Sequence, residues 1–505
     1  MDEYARHYVS MITAKPAAKA TVLRSIVFAL MIIPFVIALV VESPVPIETR
    51  EEAAMLWALC LMPAWTYLST QSGARRPIPF MPIIGALYGL YYALPAAFGA
   101  YNQHYTITLV PQIDYNEAIF VSLVGWLMLA GGYGLAMMLL PNRRSSPINS
   151  SERSWQLSGL LLMFIGFGFD VARRVHPFPI EIAGVLQFLS MLGWFGSGLL
   201  VTLNARGKLS PMRRLLTYIG VTGFLVLAIA SGSVAFAAFY GIVLLTAVWI
   251  GRGRLSAPWI IGAVAGMLTL ISLRGVTEDY RRVVWYQEDS GSQIQNARLF
   301  FRLLDQGVQS EGLGGAIAKG FETSEGRSAN LDLLADVIRR TPREIPFWGG
   351  ATYLSLIGSF VPRFLWPNKP TKELGQEFGH RYGYVGSRDS RTAVNLPILV
   401  EFFVNFGFLG VVLGMVLVGM VYRCVERAVN NPGQDEILSL AGIVLMIPLT
   451  NIESDLSLGF GGLIMNGIAF WIVLRTIRRT AAHDPSRDAS MAPYLRPLAV
   501  KRYGS

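Results

Sequence analysis

The chain has 505 residues, 53% of them hydrophobic and 15% charged, with a formal net charge of +10. Soluble globular domains carry about 25% charged residues, so an ordinary soluble enzyme is excluded. A mean hydropathy of +0.44 and repeated long apolar runs indicate an all-α polytopic membrane protein. Much of the positive charge sits in short loops between apolar runs, where it sets orientation and does not point to nucleic acid. Of the two cysteines, Cys60 lies inside one apolar run and Cys424 at the end of another, which argues against a disulfide framework or a cysteine-based metal site.

Near the N-terminus, Lys15, Lys19 and Arg24 precede a run of ordinary spanning length, with no small-residue cleavage site after it. The run therefore reads as a first span and not a removable signal. With about 20 apolar residues needed per crossing, the pattern predicts about 12 transmembrane helices: 22–41, 53–69, 78–98, 117–140, 155–169, 181–203, 214–231, 233–250, 257–274, 396–422, 437–451 and 457–474. Alternate short loops hold thirteen Lys and Arg residues: Arg75 and Arg76; Arg143, Arg144 and Arg153; Arg206, Lys208, Arg213 and Arg214; Arg252 and Arg254; Arg423 and Arg427. The other set holds three, Arg50, Arg173 and Arg174. The positive-inside rule then places the first set and both termini in the cytoplasm.

The expected organisation is a nine-span bundle over 1–274, an external interval over 275–395, a three-span bundle over 396–475 and a disordered tail over 476–505. Within the interval, Ile294, Ala297, Phe301, Leu304 and Val308 recur at helical spacing, with Arg298, Arg302 and Asp305 on the other side. A second helix is expected over 330–340, with Leu331, Leu334 and Val337/Ile338 inward. The apolar segment 345–366 could pass for a further span. Crossing there would turn Arg475, Arg478 and Arg479 outward, so it reads as re-entrant or interfacial. Charge is uneven: 275–338 has six basic and ten acidic residues, and 339–391 has nine basic and four acidic.

Arginine is planar, permanently charged and able to grip phosphate through two donors. The external candidates are Arg173 and Arg174 beside a span, Arg274 at the end of the ninth span, Arg281 and Arg282 after it, then Arg363, Lys369, Arg381, Arg388 and Arg391. Solvated loop charge and lipid headgroup contact are the plain alternatives for each. Candidate bases are Glu401, one turn inside the tenth span, where burying a charge is costly, and His380, one of only five histidines and a residue type able to serve as a general base. Glu453 and Asp455 form an acidic pair in the last external loop, read either as a proton or ion site or as a polar turn. The sequence has no Walker A pattern, GxSxG elbow, HExxH or Cys-based metal spacing, so neither a nucleotide nor a metal cofactor is indicated.

Three blocks carry a family resemblance: Gly350-Ala-Thr-Tyr353; Val361-Pro-Arg363-Phe-Leu-Trp366-Pro-Asn-Lys369-Pro370; and Glu401-Phe-Phe-Val-Asn405-Phe-Gly407-Phe-Leu-Gly410. With the layout of many spans and one late external loop, they resemble the Wzy-type O-antigen and exopolysaccharide repeat-unit polymerases of the O-antigen polymerase/ligase superfamily. The resemblance is sharp over about sixty residues. It departs where family members often carry an Arg in the turn Ala230-Ser231-Gly232-Ser233-Val234-Ala235-Phe236, since this chain has Val234. The resemblance implies an inner-membrane glycosyltransferase acting on undecaprenyl-diphosphate-linked glycans in the bilayer, and leaves a chain-length regulator protein open as a partner. It implies Arg274, Arg282 and Arg363 on the diphosphate and Glu401 or His380 as base. Arg173, Arg174, Arg281, Lys369 and Asn405 would help to hold substrate. An O-antigen ligase and a lipid-linked oligosaccharide flippase are the competing readings.

Overall fold

The structure, a computed structural model, describes residues 23–40, 46–70, 76–97, 115–141, 152–176, 178–230, 234–252, 330–361, 365–366, 374–390, 392–432 and 436–482, with scattered positions between 253 and 329. Among them the regular structure is helical, with no strand. In chain order the helices are α1 (Leu23–Val40), α2 (Ile47–Ser69), α3 (Phe80–Tyr92), α4 (Leu94–Ala97), α5 (Tyr115–Leu139), α6 (Glu152–Val175), α7 (Ile180–Ala205), α8 (Pro211–Ala230) and α9 (Val234–Arg252). Then follow α10 (Asn330–Arg340), α11 (Ala351–Phe360), α12 (Leu374–Arg381), α13 (Ile398–Val429), α14 (Glu436–Met446), a 3-10 turn (Ile447–Thr450), α15 (Leu456–Phe460) and α16 (Leu463–Ala482).

Seven stretches among the described residues are long and apolar enough to cross a membrane: α1, α5, α6, most of α7, most of α8, α13 and Leu456–Thr476. Phe80–Tyr92, Phe236–Arg252 and Ile437–Thr450 are shorter apolar helices. The span expected at 257–274 lies outside the described residues, apart from isolated positions. Proline marks several helix starts: Pro46, Pro79, Pro179 and Pro397 occupy the cap positions of α2, α3, α7 and α13. Proline is tolerated there because the first amides of a helix have no intrahelical acceptor.

Lipid offers no hydrophobic drive between helices, so close van der Waals packing at small residues holds them together. The α5–α13 contact is of this kind. A side chain at Gly132 would overlap the Val416 carbonyl, and one at Gly419 the Leu129 carbonyl. In the α6–α7 pair, Gly166 lies against the Gly193 backbone and Gly196 against the Met163 amide and the Gly159 carbonyl.

Helix α13 is not one rod. Phe406 (φ −141°, ψ 17°) and Gly407 (φ 61°, ψ −147°) break it, and the limb 398–405 folds back along the limb 408–429. Leu399 and Val411 both reach the Cβ position of Gly125, and the Phe402 ring occupies the space over Gly414. Twelve residues of straight helix would hold each pair about 18 Å apart. Ile398 and Tyr422 line one small cavity, where a straight helix would hold them about 36 Å apart. This corrects the expected tenth span, 396–422. The continuous helix is 408–429, and Glu401 lies on the folded-back limb, not one turn inside a span.

A cap of α10, α11 and α12 with the loop 382–396 sits on the end of the bundle where α5 starts. One apolar cluster runs from Leu334, Val337, Phe378, Tyr382 and Val394 of the cap to Tyr88, Leu399 and Val404 of the bundle. Helix α10 has its expected bounds, and Leu331, Leu334, Val337 and Ile338 are buried. Its last turns are tied down by Asp336, which accepts from Arg339 at 2.9 Å, Arg340 at 3.3 Å and the Tyr384 hydroxyl at 2.6 Å. Helix α11 has ten residues, about 15 Å, against about 30 Å of hydrocarbon. Ahead of the cap, the buried ring is Phe300, packed near Val276, while Phe301 is exposed. Phe301 is therefore not on the inward side as expected, while Ile294, Ala297, Leu304 and Val308 lie outside the described residues; Arg298, Arg302 and Asp305 are exposed as expected. Helix α16 continues beyond 475 to Ala482.

A φ of 61° with ψ of −147° is open essentially to glycine alone. Gly407→Ala is expected to destabilise the protein by about 1–3 kcal/mol. This would be read as a lower thermal midpoint in detergent. Gly241→Ala, whose added methyl meets nothing within 4 Å, should leave the midpoint unchanged or raise it.

Candidate functional site

The folded-back limb brings four segments together: its own residues 398–405, the turn before α11, the cap, and the loop 451–456. Asn405 is the joint. It is fully buried. Its Oδ1 accepts from Gly350 N at 2.9 Å, and its Nδ2 donates to Thr352 Oγ1 and to Glu401 O, both at 2.8 Å. Backbone bonds run beside it, from Trp348 N to Val404 O at 2.9 Å and from Gly349 N to Asn405 O at 3.3 Å. Gly349 (φ 60°) and Gly350 (φ 89°) form the sharp turn that makes this pairing possible. Both amide donors of Asn405 are thus committed to protein, so it positions the site and does not present a donor to substrate.

Glu401 is also fully buried. Its Oε2 accepts from Leu456 N at 2.7 Å. Oε1 has no partner in hydrogen-bond geometry, although the Thr352 hydroxyl acts on the carboxylate electrostatically. The neighbouring Asp455 caps α15, accepting from Ser457 N at 2.9 Å and Leu458 N at 3.1 Å. Above this turn lies a cleft of about 300 Å³ between the cap and the bundle, lined by Gln376, Ser390, Asn395, Ser454 and Asp455 among others. At its edge Asn395 Nδ2 donates to Glu453 Oε2 at 3.4 Å.

His380 is on the exposed side of α12, its Nε2 2.8 Å from the Asp389 carbonyl. A carbonyl only accepts, so Nε2 carries the proton and Nδ1 is the basic nitrogen of the neutral ring. The next residue, Arg381, lies 4.7 Å over the Trp348 ring and donates to Pro346 O at 3.0 Å. It braces the turn that Asn405 holds from below. Arg388 is exposed.

Arg173 and Arg174 are bound to protein. Both pair with the buried Asp170, at 2.5 Å and 3.2 Å, so three charges leave one net positive. Arg50 is likewise buried in α2, donating to Ile37 O at 3.0 Å and Ala97 O at 3.5 Å. All three basic residues that run against the loop-charge bias therefore have structural partners. Arg274, Arg281, Arg282, Arg363 and Lys369 lie outside the described residues. No described contact joins His380 to Glu401. Among the described residues, no group of three or more His, Cys, Asp or Glu could hold a metal ion.

Several buried charges were not singled out from the sequence. Asp170 had a signal, standing three and four residues before Arg173 and Arg174. Glu426 and Asp332 had none. Asp332 is the buried carboxylate under the cap. Its Oδ1 accepts from Tyr115 OH at 2.7 Å, and its Oδ2 has no partner. Burial pushes its pKa up to about 7, against a lowering by the Tyr115 hydroxyl.

A family described as a domain of unknown function (DUF8712) matches residues 255–431, a stretch that takes in the whole cap and both limbs of α13. No curated protein and no solved structure matches the chain.

A carboxyl whose folded pKa is raised favours docking of the cap while it is protonated. That contribution is complete below its ordinary value near 4 and is lost as pH rises through about 7. Asp332→Asn keeps the Tyr115 contact without the charge. It is expected to slow amide exchange in α10 at pH 8 and to change little at pH 4.

Proposed function

We propose that the chain is a glycosyltransferase of the GT-C-like integral membrane type. It would join undecaprenyl-diphosphate-linked repeat units into a surface polysaccharide, O-antigen or exopolysaccharide, on the outer face of a bacterial inner membrane. The observation that carries this reading is the Asn405 joint. The Gly350–Tyr353 block and the Glu401–Gly410 block, about fifty residues apart in sequence, are hydrogen-bonded to one another, and the third block follows directly from the end of α11. Two of the three parts of the resemblance thus belong to one place, and most of the third lies outside the described residues. The partners found for Arg50, Arg173 and Arg174 support an orientation with the cap external and both termini cytoplasmic.

In this reaction the acceptor sugar hydroxyl attacks the anomeric carbon of the donor. The bond from that carbon to the phosphate oxygen breaks, and undecaprenyl diphosphate leaves with the electron pair. Arg363, Arg274 and Arg282 neutralise the charge that grows on the diphosphate, a task suited to guanidinium groups at low dielectric. Arg281 and Lys369 assist with the lipid phosphates. The hydroxyl proton goes to His380 or Glu401. His380 is exposed and offers Nδ1, whereas Glu401 is sealed beneath the Asp455–Leu456 turn and would have to be uncovered by movement of that turn. With Arg173 and Arg174 held by Asp170, their part is limited to the one surplus charge of that cluster.

Cells lacking the chain should carry single repeat units on the surface acceptor, and the wild-type chain should restore a polymer ladder. Arg363→Ala, produced at the normal level and monodisperse in detergent, should fail to restore it. Full-length polymer from this variant would remove Arg363 from the mechanism. Polymer left on the lipid carrier in cells lacking the chain would indicate a ligase, and repeat units retained on the inner leaflet a flippase.

A further inference from the structure

At the end of the bundle opposite the cap, a cavity of about 680 Å³ opens between α2, α3, α5 and α13. This is within the range of small-molecule sites. Its mouth is apolar and faces sideways: Met62, Leu127 and Met137, all in the lining, are 47%, 45% and 47% exposed. Its inner end is a charged group of Arg76, Tyr133 and Glu426. Glu426 is buried and saturated. Its Oε2 accepts from Arg76 Nη1 at 3.0 Å and from the Tyr133 hydroxyl, and its Oε1 accepts from Asn430 Nδ2 at 2.9 Å.

Arg76 is less fully used. Among the described residues its Nη2 meets the Met137 thioether alone, at 3.9 Å, and its Nε has no hydrogen-bond partner. A thioether is a weak acceptor, so a guanidinium with donor capacity to spare stands at the head of an apolar cavity. A free anion would use the guanidinium and waste the walls. A neutral chain would use the walls and leave the donors unmet. A ligand with an anionic head and an acyl tail satisfies both. More basic side chains, Arg423 and Arg427, lie at this end of α13, donating to Leu140 O and Pro141 O. Basic groups at a membrane surface favour anionic lipid.

We propose that this cavity binds one anionic phospholipid, its phosphate on Arg76 Nη2 and an acyl chain along Met62, Leu127 and Met137. The proposal does not depend on the catalytic reading. It can be tested on the full chain by native mass spectrometry after exchange into phosphatidylglycerol or phosphatidylcholine of equal chain length. Wild type should retain phosphatidylglycerol at least about tenfold better. Ala130→Phe, which fills the cavity, should lose the retained lipid while keeping its elution profile and its melting midpoint without added lipid. Arg76→Gln should lose the headgroup preference. Equal retention of the two lipids by wild type, or wild-type retention by Ala130→Phe, would overturn the proposal. Ala130→Phe decides the matter even if Arg76→Gln, which strips Glu426 of its guanidinium, does not fold.

Discussion

The reversal at Phe406–Gly407 is the constraint from which the rest of the described structure follows. A single residue in a conformation reserved for glycine turns a 32-residue apolar stretch into two limbs. The short limb lies on Gly410 and Gly414, which leave room for Phe402. Without those glycines the limbs would clash, and without Asn405 the turn before α11 would have nothing to close on. Backbone carbonyls that the break would leave unpaired, Val404 O and Asn405 O, accept instead from Trp348 N and Gly349 N, and the Asn405 side chain accepts from Gly350 N. This is how irregular backbone is tolerated inside a membrane bundle.

Charge is handled in the same local way. Each buried carboxylate in the bundle has a named set of donors: Asp170 two arginines, Glu426 an arginine, a tyrosine and an asparagine, Glu401 a backbone amide. Removing one partner of such a group leaves a charge in an apolar surrounding, the costly outcome for buried pairs. The basic loop residues play a second part beyond orientation. Arg423 and Arg427 close the carbonyl end of α5, and Arg76 anchors α13 through Glu426.

Most helices were legible because an apolar run of spanning length has few alternatives, and α10 was legible because its apolar face recurs at helical spacing. The fold-back was not legible. Phe406-Gly407-Phe408 sits in an unbroken apolar run, and hydropathy carries no information about the sign of φ. Asn405 could be picked out as a polar residue in an apolar stretch, but whether it faced substrate or backbone depended on where residue 350 would lie. Arg173 and Arg174 looked available because loop position was read without their i−3 and i−4 neighbour. Glu426 and Asp332 needed partners hundreds of residues away, Arg76 and Tyr115, that no local pattern connects.

Part of what seats the short limb of α13 comes later in the chain: Ile398 N bonds Ile452 O at 3.4 Å, and Glu401 accepts from Leu456 N. When residues 398–429 leave the ribosome, those partners have not yet been made. The partners at Gly125 and in the turn 348–350 already exist by then, and the seat beneath Glu401 is completed only after residues 451–456 have arrived. A chain truncated after α13 would therefore keep the Asn405 joint and lose the amide that holds Glu401 Oε2. The geometry at Glu401 is then a late product of synthesis, completed by the last two helices.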